Sequence, residues 1–129
     1  MLILTNSSRQ KLGKNEVLIF DRQILHTGKW EQYRNGSGLI ELRARNAIYE
    51  VHFSADIYTK DVGVAQLAIG VDGTPLAETY MTSSVDGLNN VAKTTAIKTN
   101  DDVVYISVIN VGSTHVMVNH SSLFTKRTA

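Results

Sequence analysis

Residues 47–58 read AIYEVHFSADIY, and this stretch decides the fold class. Its apolar members stand at every second position, with polar residues between them: Tyr49, Val51, Phe53, Ala55 and Ile57. Successive side chains of a β-strand point to opposite faces, so this alternation predicts a strand with one buried face and one outer face. A helix would need apolar residues three and four positions apart.

Short runs of the same kind lie on the C-terminal side, separated by turn signals. Residues 63–71 are apolar at alternate positions and end at Val71-Asp72-Gly73-Thr74-Pro75, where Asp-Gly predicts a tight turn. We expect this run to form a hairpin with residues 47–58, joined through Thr59-Lys60-Asp61. The run 103–110 is apolar on both faces, which is typical of a strand covered on two sides.

The rest of the chain is divided in the same way. Further strands are predicted at residues 16–20, 39–42, 78–84, 90–98 and 115–125, with turns at residues 35–38, 86–89 and 111–113. Residues 24–33 are poorly patterned. We therefore expect one all-β domain over residues 16–129, and an N-terminal arm over residues 1–15 that is flexible or docks onto something larger.

Composition narrows the class of protein. The 129 residues fit one domain, and a net charge of +1 gives no electrostatic argument for nucleic acid or an anionic membrane. There is no cysteine, which excludes disulfides and thiolate sites. The sequence shows neither a signal peptide nor a run of 18 apolar residues. We expect synthesis in a cytoplasm, no membrane insertion, and a final location on a virion or particle surface.

No catalytic or metal-binding pattern is found. The four histidines lack metal-ligand spacing, and His115 and His120 are predicted to lie on opposite faces of the last strand because their separation is odd. Asp101-Asp102 is read as part of a loop. No Gly-x-Ser-x-Gly elbow or phosphate-binding loop occurs. We expect a protein that is not an enzyme and that uses no cofactor and no metal.

The order of the strand motifs resembles the jelly-roll superfamily of tumour necrosis factor and the complement globular heads, in particular its bacterial and bacteriophage branch. The resemblance covers the chain from about Glu16 onward. It rests on VLIFD at 17–21, YRNGSGLIEL at 33–42, AIYEVHFSAD at 47–56, LAIGVDGTP at 67–75, VINV at 108–111 and NHSSLF at 119–124. The family's long strand often has Gly two residues before its Tyr, where this chain has Ala47.

The resemblance implies an antiparallel jelly-roll sandwich of about eight to ten strands that packs as a homotrimer. It also implies a structural or assembly function, as a knob, decoration or fibre protein of a phage or bacterial surface particle. The expected trimer interface lies on the run 103–110 and the last strand. Its candidate residues are Val103, Tyr105, Ser107, Ile109 and Met117.

The alternative function is recognition of a carbohydrate or a receptor, with a host-surface glycan or a larger particle as partner. Its candidate contacts are the aromatic residues in or beside predicted loops: Trp30, Tyr33, Tyr58 and Tyr80. Such rings stack on sugars, and they also pack in cores and interfaces. The sequence leaves both interpretations of these four residues open.

Overall fold

The computed structural model describes residues 1–61, 63–84 and 87–129. Its strands form two antiparallel sheets, and the only helix in this part of the chain is one 3₁₀ turn at Ala77–Thr79. The strands are β1 (Leu2–Asn6), β2 (Gln10–Leu12), β3 (Arg22–His26), β4 (Glu31–Arg34), β5 (Leu39–Leu42), β6 (Ile48–Tyr58), β7 (Ala65–Val71), β8 (Thr74–Pro75), β9 (Met81–Ser83), β10 (Asn89–Lys98), β11 (Val104–Asn110) and β12 (Val116–Arg127).

The first sheet has the order β10-β6-β12-β1-β3, with β2 also paired to β12. The second sheet has the order β4-β5-β11-β7-β8, with β9 also paired to β7. Both sheets are antiparallel throughout, so the predicted all-β sandwich is confirmed. The strand count exceeds the predicted eight to ten because β2, β8 and β9 are only two or three residues long.

The core lies between the two sheets and follows the alternation of the long strand. Tyr49, Val51, Phe53, Ala55 and Ile57 are all buried, as predicted. Facing them from the second sheet are the inward residues of β11, Val104, Ile106 and Val108. The outward residues Ser107 and Ile109 of β11 are buried too, so its prediction as a strand covered on both faces is confirmed.

The predicted tight turn at residues 71–75 is also present. Val71 pairs with Thr74, leaving Asp72 and Gly73 as a two-residue loop with φ of 50° and 86°. Positive φ at both central positions is the geometry that Asp-Gly favours in hairpins. Val85 and Asp86 lie outside the described residues, and with them the first residue of the turn predicted at 86–89.

The predicted hairpin between residues 47–58 and 63–71 is wrong. β6 pairs with β10 and β12 in the first sheet, whereas β7 belongs to the second sheet. The alternation of a strand shows which side chains are buried, but the same burial results whether the next strand pairs beside it or crosses to the opposite sheet.

The first fifteen residues are part of the sandwich, and their prediction as an arm is corrected. β1 lies between β12 and β3, with Leu2 and Leu4 fully buried. β2 pairs with the start of β12. From Leu2 to Thr5, buried and half-buried side chains alternate. This short segment forms a strand because it has a strand partner on each side.

The strand predicted at residues 16–20 is reduced to a single bridge between Val17 and Ile109. Beyond it, side chains complete the backbone hydrogen bonds. The Gln10 amide oxygen accepts from the Ile19 amide at 3.0 Å, and the Tyr33 hydroxyl accepts from the Phe20 amide at 2.9 Å. The poorly patterned residues 24–33 contain the end of β3 and the start of β4. Every residue of β3 is exposed, which removes the alternation that would have revealed it.

Buried polar groups connect the loops to the strands. The Asn110 amide donates to the carbonyl oxygens of Leu12 and Thr114, both at 2.9 Å, and its oxygen accepts from the Gly112 amide at 3.0 Å. Glu31, only 1% exposed, accepts from the Arg127 amide at 2.9 Å and lies 3.1 Å from the Met1 amino group. It joins β4 of the second sheet to β12 of the first.

Candidate functional site

The outer side of the first sheet carries two rows of residues without Asp, Glu, Lys or Arg. Cross-strand pairing aligns the first row over five strands, from β3 to β10: Leu25, Ile3, Phe124, His52 and Thr94. The second row runs from β1 to β10: Thr5, Ser122, Ser54 and Ala92. We call these nine residues the outer face. They are half-buried or exposed and point away from the core.

Charged residues begin at both ends of the outer face. At one end Glu50 pairs with Lys126, with Oε2 and Nζ 3.8 Å apart. At the other end Asp56 stands opposite His120. The outer face is therefore a central area without permanent charge, bordered by residues of both signs.

His52 is the one ionisable residue within the outer face, and its neighbours fix its ring. Nδ1 lies 3.1 Å from the Thr94 hydroxyl, and Nε2 lies 3.5 Å from Oε1 of Glu50. The ring packs edge-on against Phe124, with centroids 5.3 Å apart. Contacts on three sides hold the imidazole in place.

A β-bulge opens a cavity of about 190 Å³ at the Asp56 end of the outer face. The register of β12 against β6 shifts between Val118 and His120, leaving Asn119 as the additional residue. We call this cavity the bulge pocket. It is lined by Ser54, Ala55, Asp56, Asn90, His120, Ser121 and Ser122.

The bulge also corrects the prediction for the two histidines of the last strand. Met117 stands opposite Tyr58, and His120 stands opposite Asp56, so both belong to the outer side. The additional residue cancels the odd separation between residues 115 and 120. His115 and His120 are therefore not divided between two faces as a regular strand would divide them.

The residues predicted for a trimer interface are not equally accessible. Ser107 and Ile109 are 2% and 5% exposed within the protomer, so they offer little surface to a second copy. The Ile109 side chain lies over Gly70 of the neighbouring strand β7, where a glycine leaves room for it. Val103 is 41% exposed and Tyr105 half-buried, and both remain candidates.

Met117 is in the other sheet from these four residues. It lines a second cavity, of about 140 Å³, together with Lys11, Lys60, Asp61 and His115. His115 Nδ1 and Asp61 Oδ2 are 3.5 Å apart at its rim. The five predicted interface residues therefore do not form one continuous surface.

The aromatic residues predicted to contact a ligand are scattered. Trp30 is partly exposed, with Arg127 Cζ 4.4 Å and Lys29 Nζ 4.9 Å from its ring centroid. Its carbonyl accepts from the Tyr49 hydroxyl near the start of β6, while Tyr58 ends that strand, about 30 Å farther along. Tyr80 follows the 3₁₀ turn beside the second sheet. The structure does not bring these residues into a common site.

Tyr33 belongs to the core. Its hydroxyl accepts from the Phe20 amide at 2.9 Å and donates to the Phe20 carbonyl oxygen at 3.0 Å. Burial raises the pKa of this phenol above its ordinary value, and burial does the same to the pKa of Tyr49. Tyr33 is therefore a core residue, which is one of the two interpretations that the sequence left open.

Within residues 1–61, 63–84 and 87–129, no three His, Cys, Asp or Glu side chains are grouped so as to hold a metal ion. No helix there is long and apolar enough to cross a membrane.

Comparisons with known proteins show which folds resemble this one. No family model matches the sequence, and no curated protein matches it. Solved structures do match, and they have the same sandwich. The chain has the jelly-roll fold of tumour necrosis factor and the complement globular heads.

Three of the matches show how widely this jelly roll occurs. The globular domain of zebrafish complement 1qA protein has a TM-score of 0.68 at 7% identity, covering 95% of this chain and 94% of that chain. Murine APRIL at pH 5.0 has a TM-score of 0.61 at 7% identity, covering 95% and 97%. The PRD1 vertex protein P5 has a TM-score of 0.52 at 16% identity, covering 95% and 93%. At such identities the likeness concerns the fold alone.

Sequence reasoning missed the outer face and the bulge pocket for different reasons. The outer residues of β6 and β12 are mostly polar, so they look like an ordinary solvated face. The usable signal was that His52, Ser54, Ser122 and Phe124 carry no permanent charge. The pocket depends on the bulge at Asn119, where the sequence has neither a glycine nor a proline to mark an irregularity in the strand.

Proposed function

We propose that this protein is a non-enzymatic structural module that assembles as a homotrimer through the outer face, on a phage or bacterial surface particle. One observation carries the proposal: the first row lacks Asp, Glu, Lys and Arg across five strands and the second row across four, and the charged residues that border them have both signs: Arg22, Glu50, Lys126 and Asp56. The function is association of like chains, and the outer face is the surface on which it depends.

The composition of the outer face is unusual for a sheet surface in water. When one side of an antiparallel sheet faces water, the residues that point to that side are normally polar or charged. Depletion of charge at the centre, an aromatic residue, and a polar rim are features of protein interfaces. Phe124 and Ile3 at the middle of the first row and Leu25 at its end supply apolar area that association would remove from water.

The border charges favour a second copy of this chain as the occupant. Glu50 and Lys126 lie at one end, and Asp56 and His120 at the other, so the same surface presents both signs. In a closed ring each contact joins different parts of the surface on neighbouring copies, so opposite charges from the two ends of the outer face can meet at the rim. The threefold number comes from the resemblance to tumour necrosis factor.

The likeness to a vertex protein supports placing the module on a particle. The PRD1 vertex protein P5 shares the fold over nearly the whole chain, at 16% identity. Val103 and Tyr105, predicted from sequence as interface residues, would contribute to contacts at the second sheet. These assignments extend the proposal beyond the outer face.

The test places a positive charge in the outer face and measures mass. Light scattering after size exclusion should give the wild-type protein three times the 14.2 kDa of one chain. Thr94→Arg puts a guanidinium at the β10 end of the first row, where it would be desolvated on assembly. We expect this variant to run at a lower mass. Its melting temperature should not change on dilution, because the stability of a monomer does not depend on concentration.

The matched control is Thr82→Arg. Thr82, like Thr94, is an exposed threonine of an edge strand, here the three-residue β9 of the second sheet, and its hydroxyl accepts one hydrogen bond, from the Gln66 amide at 3.2 Å. It should leave the trimer intact. A monomeric wild-type protein, or a Thr94→Arg variant that remains trimeric, would contradict the proposal.

A further inference from the structure

The bulge pocket owes its chemistry to one row of polar side chains across three strands. With Asn119 accommodated as the additional residue, His120 stands opposite Asp56 on β6, and Asp56 stands opposite Asn90 on β10. Ser54 and Ser122, which belong to the second row of the outer face, lie beside this row and close the cavity on that side. The result is a recess in which five polar side chains converge.

Most of the hydrogen-bonding capacity of these side chains is unused. Asn90 donates to Oδ1 of Asp56 at 3.0 Å and to the Ala55 carbonyl oxygen at 3.3 Å. Within the described ranges, the second carboxylate oxygen of Asp56, the amide oxygen of Asn90, the two hydroxyls and the His120 imidazole make no side-chain hydrogen bond to the protein. A ligand that enters can therefore find both donors and acceptors.

The lining excludes two classes of ligand. No lysine or arginine lines the recess, and Asp56 is negative, so phosphate and carboxylate groups would be repelled. Asp56 and His120 are only two metal-binding side chains of the usual kinds, and no group of three exists among the described residues. A cavity of about 190 Å³ holds a small molecule or one unit of a larger one.

We propose that the bulge pocket binds one neutral sugar unit of a glycan. Adjacent sugar hydroxyls would donate to the free oxygens of Asp56 and Asn90 and accept from the hydroxyls of Ser54 and Ser122. The ring of His120 offers an apolar surface to the sugar carbons and a polar edge to a further hydroxyl. This site is separate from the scattered aromatics predicted from sequence. It shares Ser54 and Ser122 with the outer face, so a bound sugar and a neighbouring copy would compete for these two residues, and binding is measured on the Thr94→Arg variant as well as on the wild-type protein.

The experiment uses a fixed set of probes and the full chain. Glucose, galactose, mannose, N-acetylglucosamine and fucose are each titrated into ¹⁵N-labelled protein while the side-chain signals of Asn90 and His120 are followed by NMR. We expect at least one sugar to shift both signals saturably. Asp56→Asn keeps the size of the side chain and removes its charge, and it should weaken that sugar about tenfold or more, because hydrogen bonds to a charged group are the strong ones.

Asp102→Asn is the matched control, an identical change at an exposed aspartate outside the pocket, and it should bind the sugar like the wild-type protein. Inorganic phosphate and Zn²⁺ serve as competing probes. The proposal is overturned if none of the five sugars shifts the two signals, if Asp56→Asn binds as well as Asp102→Asn, or if phosphate or Zn²⁺ alone gives the saturable shifts. Light scattering on the same samples separates a failure of assembly from a failure of binding.

Discussion

The hydroxyl of Tyr33 bonds to both backbone groups of Phe20, accepting from its amide at 2.9 Å and donating to its carbonyl at 3.0 Å. This pair attaches the segment between β2 and β3 to β4. The two rings also meet edge to face, with centroids 6.1 Å apart. The Tyr33 side chain thus pairs with the backbone amide and carbonyl of Phe20, as a neighbouring strand does elsewhere in the sheet.

Removing that hydroxyl should destabilise the fold. Tyr33→Phe leaves the Phe20 amide and carbonyl unpaired in a buried place, so we expect the free energy of unfolding to fall by about 1–3 kcal/mol. Urea denaturation followed by circular dichroism measures the change. Tyr80→Phe is the control, since Tyr80 is 43% exposed, and it should change stability by less than about 0.5 kcal/mol. Equal effects of the two substitutions would show that the Tyr33 bonds contribute nothing.

The same phenol makes the fold sensitive to alkali. Burial raises the folded-state pKa of Tyr33 and of Tyr49 above the ordinary value of 10.0. Below pH 10.0 both phenols are protonated in the folded and the unfolded chain, and their contribution is fully present. Above it the unfolded chain loses these protons first, so stability should decline as pH rises through the folded pKa values. Melting temperatures between pH 8 and 11 test this, and a flatter decline is expected for Tyr33→Phe.

Close packing at Gly70 should not tolerate a methyl group. A Cβ built there would collide with Cδ1 of Ile109 and come 3.4 Å from the Ser107 hydroxyl. Gly70→Ala should therefore lower the free energy of unfolding by about 1–3 kcal/mol through overpacking. Ile109→Val removes the colliding atom, so the double variant should lose less than the two single variants together. Strictly additive losses in denaturant melts would contradict this account.

The Asn110 side chain should resist even a change of one atom. Its amide nitrogen donates to two carbonyl oxygens, of Leu12 and Thr114. Asn110→Asp would turn a carboxylate oxygen toward these carbonyls in a fully buried site, and we expect a loss of about 3 kcal/mol or more. Thermal unfolding of Asn100→Asp, an exposed position, provides the comparison. If Asn110→Asp and Asn100→Asp have the same melting temperature, the buried hydrogen bonds of Asn110 do not contribute to stability as proposed.

The sequence was sufficient for the long strands that have one buried face or two, but not for the short strands β1 and β4. Alternation from Tyr49 to Ile57 gave β6 and its core residues, and the apolar run ending at Ile109 gave β11. Alternation reports burial and not partners, so it could not place β6 and β7 in different sheets. It also fails for β3, which is exposed throughout, and a tyrosine such as Tyr33 gives no sign of whether its hydroxyl will find a partner inside.

The candidate sites were harder to predict because they depend on cross-strand neighbours. Ile3, Phe124 and His52 lie far apart in the sequence and become one row only through the registers of three strands. The bulge at Asn119 then changes which side His120 faces. Both effects arise from pairing, which a single sequence does not display.

The position of β12 has a consequence for synthesis. This strand is the last of the twelve to leave the ribosome, yet it lies in the first sheet between β6 on one side and β1 and β2 on the other. Until β12 emerges, β6 on one side and β1 and β2 on the other have open strand edges where β12 will pair. Most contacts of the finished fold also join segments that are distant in the sequence. We expect folding to be slow, and chains that lack β12 to be prone to edge-to-edge aggregation.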